Sequence, residues 1–365
     1  IERFSNYLLE QQISWQGLDS GQVKDIMAMI VEQLAPEMQN EILLSTGRYR
    51  YLRRRLQKTL ERSALVLLEH GQRGDFMPVA LEADFGMAQS KLPAWRLTLK
   101  DGSSLLLQGR IDRIEQAEED GIHYLRVIDF KTGSQGLRLT EIYYGLKIQL
   151  LTYLQVALQY YERLLPQGEK VLPAGVLYYF FRSSVLSADG PLSVEKAKEL
   201  HDKEMKAQGL LVADMKALKL AQRDLTTGSS TLLPVSLLKD AAPYVEDAEA
   251  FAQLEDPLAL FGKRNHTVVT REQLGLLLQH TKQIIAQLGQ QIHQGNIAVR
   301  PCRIGQFTGC QYCGYQTICQ IQTVNESTYW EDLPLLERDE IWARLEQEKG
   351  EKKDADMDER TAAGH

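Results

Sequence analysis

Gly109-Arg110-Ile111-Asp112-Arg113-Ile114 and Asp129-Phe130-Lys131-Thr132-Gly133 are the stretches on which the fold turns. The apolar run Leu105-Leu106-Leu107 precedes the first, and Tyr124-Leu125-Arg126-Val127-Ile128 leads into the second. Both runs suit strands. Between them, Glu115-Gln116-Ala117-Glu118-Glu119-Asp120-Gly121 has the polarity of a turn and ends in Gly. The pattern predicts a β-hairpin with one carboxylate on each arm.

Side chains alternate along a strand, so Asp129 and Lys131 share a face and Phe130 points to the other. An Asp from each of two paired strands can meet across the ladder and hold a divalent ion. Carboxylates with few other ligands suit Mg²⁺, which keeps waters and takes further oxygens from a phosphate. A Lys beside that ion can orient or deprotonate the attacking water and offset charge on the phosphate. Asp112, with Asp129-x-Lys131 on the next strand, is thus arranged for phosphodiester hydrolysis. A surface hairpin with solvated charges is the competing reading. Context speaks against it, because Asp112 interrupts an apolar strand and Asp129 follows Val127-Ile128 directly. A carboxylate ending a buried run needs a partner.

Together with Gln149-x-x-x-Tyr153, these motifs resemble the RecB-type nuclease family within the wider PD-(D/E)xK group. The run from Leu139 to Tyr153, the stretch Pro173-Ala174-Gly175-Val176-Leu177-Tyr178-Tyr179 and a C-terminal cysteine cluster narrow the resemblance to AddB-type helicase–nuclease subunits, over roughly positions 40 to 325. The resemblance implies an α/β fold: a PD-(D/E)xK, restriction-endonuclease-like core with a central mixed sheet flanked by helices and a C-terminal iron–sulfur cysteine cap. It implies a Mg²⁺-dependent DNA exonuclease acting on an unwound strand during double-strand break repair by recombination. Asp112 and Asp129 would bind metal with the Phe130 carbonyl, Lys131 would position the water, and Gln149 and Tyr153 would hold DNA. The implied partners are DNA, as single strand and duplex junction, and an AddA helicase–nuclease subunit. The alternative is a nuclease-inactive DNA-binding scaffold stabilised by an iron–sulfur or zinc site.

Glu82-x-x-Phe85 resembles the family's upstream acidic motif, which makes Glu82 a candidate further metal ligand against the plainer reading of an exposed Glu. Many members carry a metal-binding His on the preceding helix. Here Gly47-Arg48-Tyr49-Arg50-Tyr51 has no His, and Tyr51 stands in its place.

All four cysteines fall between 302 and 319, as Cys302 and then Cys310-x-x-Cys313-x5-Cys319. Clustered thiolates without a signal segment suit zinc or an iron–sulfur centre rather than a disulfide scaffold. The resemblance selects a [4Fe–4S] cluster on Cys310, Cys313 and Cys319. Its fourth ligand is expected upstream of this chain, with Cys302 as the alternative.

The remaining features set bounds. At 365 residues, with 44% hydrophobic and 25% charged residues, the composition is that of a globular protein. No run approaches the ~18 apolar residues of a membrane span, and no secretory signal opens the chain, so a cytoplasmic location without membrane contact is expected. The first residue, Ile1, reads as mid-helix, as in a fragment of a longer protein. The net charge is −7, yet Arg48, Arg50, Arg53, Arg54 and Arg55 crowd one predicted helix of about 46 to 70. They face phosphates or, equally, solvent. A Walker-type phosphate loop is absent, so no ATPase motor lies here. The expected organisation is a helical linker or cap over 1–45, a nuclease domain over 46–325, and a charged helix with a disordered tail over 326–365. A helix over about 141 to 164 is expected to carry Gln149 and Tyr153, and 208–268 has no assigned task.

Overall fold

The computed structural model describes residues 1–38, 41–133, 136–181, 190–262, 266–319 and 330–362. It divides into two compact units. The first comprises Ile1–Trp95, Leu106–Leu137 and Ile148–Gly275; the second comprises Arg96–Leu105, Arg138–Lys147 and Leu276–His365.

In chain order the elements begin with helices α1 (Glu2–Glu10), α2 (Ser20–Glu37), α3 (Ile42–Ser45) and α4 (Gly47–Arg73). Strands β1 (Met77–Phe85), β2 (Trp95–Thr98), β3 (Ser104–Leu107), β4 (Gly109–Glu119) and β5 (Ile122–Lys131) follow. Then come α5 (Leu139–Tyr143), α6 (Gln149–Glu162), β6 (Lys170–Phe180), α7 (Val194–Met205), β7 (Gln208–Val212) and α8 (Met215–Ala221). Short pieces lead through β8 (Gly228–Ser229), β9 (Ser236–Leu237), α9 (Ala242–Glu246), α10 (Ala248–Ala252) and β10 (Val268–Val269) to the long helix α11 (Arg271–His293). The chain closes with β11 (Cys302–Ile304), β12 (Phe307–Thr308), α12 (Gln316–Cys319), β13 (Glu331–Asp332) and α13 (Arg338–Ala362).

The first unit is built on a six-stranded sheet in the order β1-β4-β5-β6-β7-β10. It is mixed: β4 runs antiparallel to both β1 and β5, β5 parallel to β6, β6 antiparallel to β7, and β7 parallel to β10. Central β5 is buried from His123 to Asp129, as expected for a strand covered on both faces. One face packs on α6 through Leu150, Leu151, Leu154 and Ala157, all fully buried; each such Leu contributes about 1.5–3 kcal/mol. Against the other lie the N-terminal helices, whose Phe4, Val23, Met27, Ala64 and Leu67 join Tyr124, Ile128, Leu177 and Tyr179 in one apolar cluster.

The expected hairpin is present, but its loop is shorter than the sequence suggests. Glu115 to Glu119 belong to β4, and only Asp120 and Gly121 turn the chain, at φ 53° and 73°. Two successive left-handed residues make a tight two-residue connection. Leu105 to Leu107 do not lead into β4 as one strand; they lie in β3, which forms a separate ribbon with β2. The single helix expected over 141–164 is two helices. Gly145 takes φ 76° between them, and Gln149 opens α6 rather than lying inside a longer helix. Residues 208–268, unassigned from sequence, supply sheet strands β7 and β10. In the second unit, the charged helix expected from about 335 is α13.

Candidate active site

The site begins where two strands part. The ladder between β4 and β5 ends at Arg113↔Ile128. Beyond it, β4 remains paired with β1 as far as Gly109, and β5 remains paired with β6 as far as Lys131. Asp112 fills the gap in the ladder: its Oδ2 accepts a hydrogen bond from the Phe130 backbone N–H at 2.8 Å. The register carried one pair further sets Asp112 beside Asp129. Gly109 has a packing reason for its place in the motif, since a Cβ there would lie 2.8 Å from the Phe85 ring.

Asp129 is 2% exposed. Burial pushes its carboxyl above the ordinary Asp range, Lys131 offsets part of that, and Asp112 adds to it. Lys131 Nζ lies 2.6 Å from Asp129 Oδ2. The contact is a charge-assisted ion pair, and it draws the carboxyl part of the way back towards its ordinary range. The same ammonium donates to Gln149 Oε1 at 3.2 Å, and Gln149 Nε2 donates to the Tyr153 hydroxyl at 2.9 Å. The direction of this relay matters. Tyr153 accepts from Gln149, so its own proton is free for a further acceptor. The ring is set by an edge-on contact with Phe85 at 6.0 Å.

Phe130 takes the opposite face, as alternation requires, stacked on Phe181 at 4.9 Å and edge-on to Tyr179. That face holds a group the sequence did not single out. Glu115 accepts from Arg113 Nε and Arg126 Nε, both at 2.6 Å, and all three side chains are buried. Arg113 lies over Trp15 and Arg126 over Phe76. Burial raises the Glu115 carboxyl, and the two guanidiniums more than reverse it, leaving it below the ordinary Glu range.

Glu82 sits on β1 between the pairs Leu81↔Arg113 and Ala83↔Ile111, hence across from Asp112. It is the one left-handed residue inside the sheet's strands, apart from glycines, among the described residues, at φ 43°, a conformation that costs roughly 1–3 kcal/mol. Burial first, then Asp112 and Glu2, push its carboxyl up. Nevertheless, among the described residues no three His, Cys, Asp or Glu side chains gather closely enough to hold a metal between them. The acids of the site are therefore the pair Asp112 and Asp129, with Glu82 in their electrostatic range. That pair suits Mg²⁺, which is bound through one or two carboxylates plus phosphate oxygens. Tyr51 is exposed on α4 and enters none of these contacts. A neighbouring pair also escaped the sequence reading: Asp84 on β1 and Arg110 on β4 face each other in register. Their signal was period-two spacing from Glu82 and Asp112.

In the second unit, Cys302 and Cys310 are half-buried and Cys313 and Cys319 are exposed, all as free thiols. Among the described residues, no three of these thiols group with one another or with His, Asp or Glu closely enough to hold a metal ion. Among the described residues no helix is long and apolar enough to cross a membrane.

Comparison with known proteins adds lineage to this geometry. Residues 2–320 match the PD-(D/E)XK nuclease superfamily. The chain is 38% identical over 352 residues to the AddB subunit of the ATP-dependent helicase/deoxyribonuclease from Desulforamulus reducens, covering 96% of this chain and 28% of that protein. It is 37% identical to the protein of the same name from Pelotomaculum thermopropionicum, over 94% of this chain and 28% of that one. For the Bacillus licheniformis protein the identity is 33%, over 90% and 26%. The chain thus spans between a quarter and a third of the length of these relatives.

Proposed function

Because the chain belongs to the PD-(D/E)XK nuclease superfamily, we propose that it hydrolyses DNA phosphodiester bonds with Mg²⁺, as the nuclease portion of an AddB-type helicase–deoxyribonuclease subunit. The observation that carries this is the buried Asp129 carboxylate, paired with the half-exposed Lys131 and set beside Asp112 at the gap in the ladder.

Asp129 and Asp112 would hold the ion, with the Phe130 carbonyl as a further donor. Once bound, Mg²⁺ supplies Lewis-acid polarisation of the phosphate and a more acidic water. Lys131, set between Asp129 and Gln149, places a positive charge where the attacking water and the pentavalent phosphate develop negative charge. Gln149 fixes that ammonium from the start of α6, and Tyr153 offers its free proton to a phosphate oxygen. Strand cleavage on unwound DNA, a double-strand-break repair role and an AddA partner belong to the same proposal, supported by the likeness to AddB proteins. A [4Fe–4S] cluster on Cys310, Cys313 and Cys319 rests on their spacing and on that same likeness; a brown colour in anaerobically prepared protein is the expected sign of it.

The test is degradation of an end-labelled single strand. Wild type should shorten it with Mg²⁺ and stop with EDTA. Asp129→Ala should lower the rate on the order of 10³-fold, the scale of several kcal/mol of lost charge stabilisation. A wild-type protein that binds DNA but leaves it intact would identify the inactive scaffold instead.

A further inference from the structure

We propose that Arg110, aimed by Asp84, is a phosphate clamp for the nucleotide next to the scissile bond; the inference rests on the nuclease reading above. Arg110 lies two residues before Asp112 on β4 and therefore on the same face, about 7 Å along the strand. That offset is the scale of one nucleotide step along an extended strand. The site thus has two rows of side chains across the sheet. Glu82, Asp112 and Asp129 form the acidic row. Asp84 and Arg110 lie in the next, towards the strand end that Lys131 occupies on β5.

The guanidinium is held but not consumed. Asp84 Oδ1 accepts from Arg110 Nε at 2.7 Å, and Asp84 Oδ2 accepts from Nη2 at 3.3 Å. Glu82 Oε2 stands 3.9 Å from Nη1, beyond hydrogen-bond reach. The Arg110 side chain is 56% exposed. A bidentate carboxylate fixes the plane of the guanidinium and leaves the Nη1 edge for a second acceptor, the geometry in which Arg recognises phosphate. Arg110 is also the cation on the Asp112 side of the acid pair, as Lys131 is on the Asp129 side. Carried on, the register sets Arg110 across from Lys131, so a strand entering over Asp112 and Asp129 meets a row of positive charge beside the acids that would otherwise repel it. Were the pair only a cross-strand brace, it would stabilise the sheet slightly and contribute nothing to DNA binding.

The experiment measures single-strand binding by fluorescence anisotropy in EDTA, across a salt series, beside cleavage kinetics in Mg²⁺. Arg110→Gln should lower the slope of log K against log salt by about 0.7, the loss of one phosphate contact, and should raise KM several-fold with kcat little changed. A strand carrying one neutral methylphosphonate, stepped along the sequence, should weaken wild type at one position next to the cut and leave Arg110→Gln unaffected there. Asp84→Asn should lose the same positional sensitivity, with melting temperature recorded to separate bracing from aiming. An unchanged salt slope in Arg110→Gln, with equal methylphosphonate sensitivity in both proteins, overturns the clamp while leaving the nuclease reading intact. If wild type fails to cut DNA, the nuclease reading falls, and the anisotropy series still decides whether Arg110 touches phosphate.

Discussion

The two faces of the β4–β5 pair carry buried acids with opposite fates. On the face of the N-terminal helices, Glu115 receives two charge-assisted hydrogen bonds from Arg113 and Arg126, and its carboxyl is held below the ordinary range. On the α6 face, Asp129 is equally buried but meets one cation, the half-exposed Lys131, beside a second carboxylate, Asp112, and its carboxyl is held above the ordinary range. Burial acts on both alike. What differs is the balance of charge: two guanidiniums for one carboxylate on one face, one ammonium beside two carboxylates on the other. The doubly compensated acid serves the fold, and the under-compensated pair of acids leaves room for an ion from outside.

The sharpest way to break this contrast is a pair of isosteric substitutions. Glu115→Gln strands two buried guanidiniums and should destabilise the protein by about 3–5 kcal/mol. Asp129→Asn should leave stability equal or higher while cleavage is lost. The pH dependences run in opposite directions. Glu115 has a depressed folded pKa, so its contribution is present above its unfolded pKa and fades as pH falls through the folded value. Asp129 has a raised one, so its contribution is present at acid pH and lost as pH rises through the folded value. Denaturant titration of both variants at neutral and acid pH checks the signs.

His70 sharpens the same comparison with a smaller effect. It is buried on α4 beside Tyr179, at 5.1 Å between rings, and neither ring nitrogen has a hydrogen-bond partner. Burial, then the positive charge of Arg126, push its pKa down to about 3. It stays neutral in the fold while the unfolded chain binds a proton below about 6.5. Stability should therefore fall by about 1.4 kcal/mol per pH unit between those values. His70→Phe should flatten that slope in urea titrations at acid pH. An unchanged slope assigns the acid sensitivity to the carboxylates alone.

Much of the α6 face was legible because its chemistry sits at fixed spacing. Asp129-x-Lys131 needs only strand alternation to share a face, and Gln149-x-x-x-Tyr153 only one helical turn. The opposite face was hidden by its own success at pairing. Glu115 through Glu119 look like a solvated loop, and nothing local announces that Arg113 and Arg126 neutralise Glu115 inside β4 and β5. Likewise Arg110 reads as surface charge until β1 brings Asp84 opposite it. Tertiary pairing, absent from any local window, decides both cases. The break before Gln149 falls at Gly145, whose left-handed backbone follows the end of α5.

Calorimetric titration of Mg²⁺ into the folded protein tests the central claim most directly. The account predicts an ion-binding event in wild type that disappears in both Asp112→Asn and Asp129→Asn and weakens as pH falls and Asp129 takes up its proton. Undiminished Mg²⁺ binding in both variants, with melting temperatures at or above wild type, would contradict it.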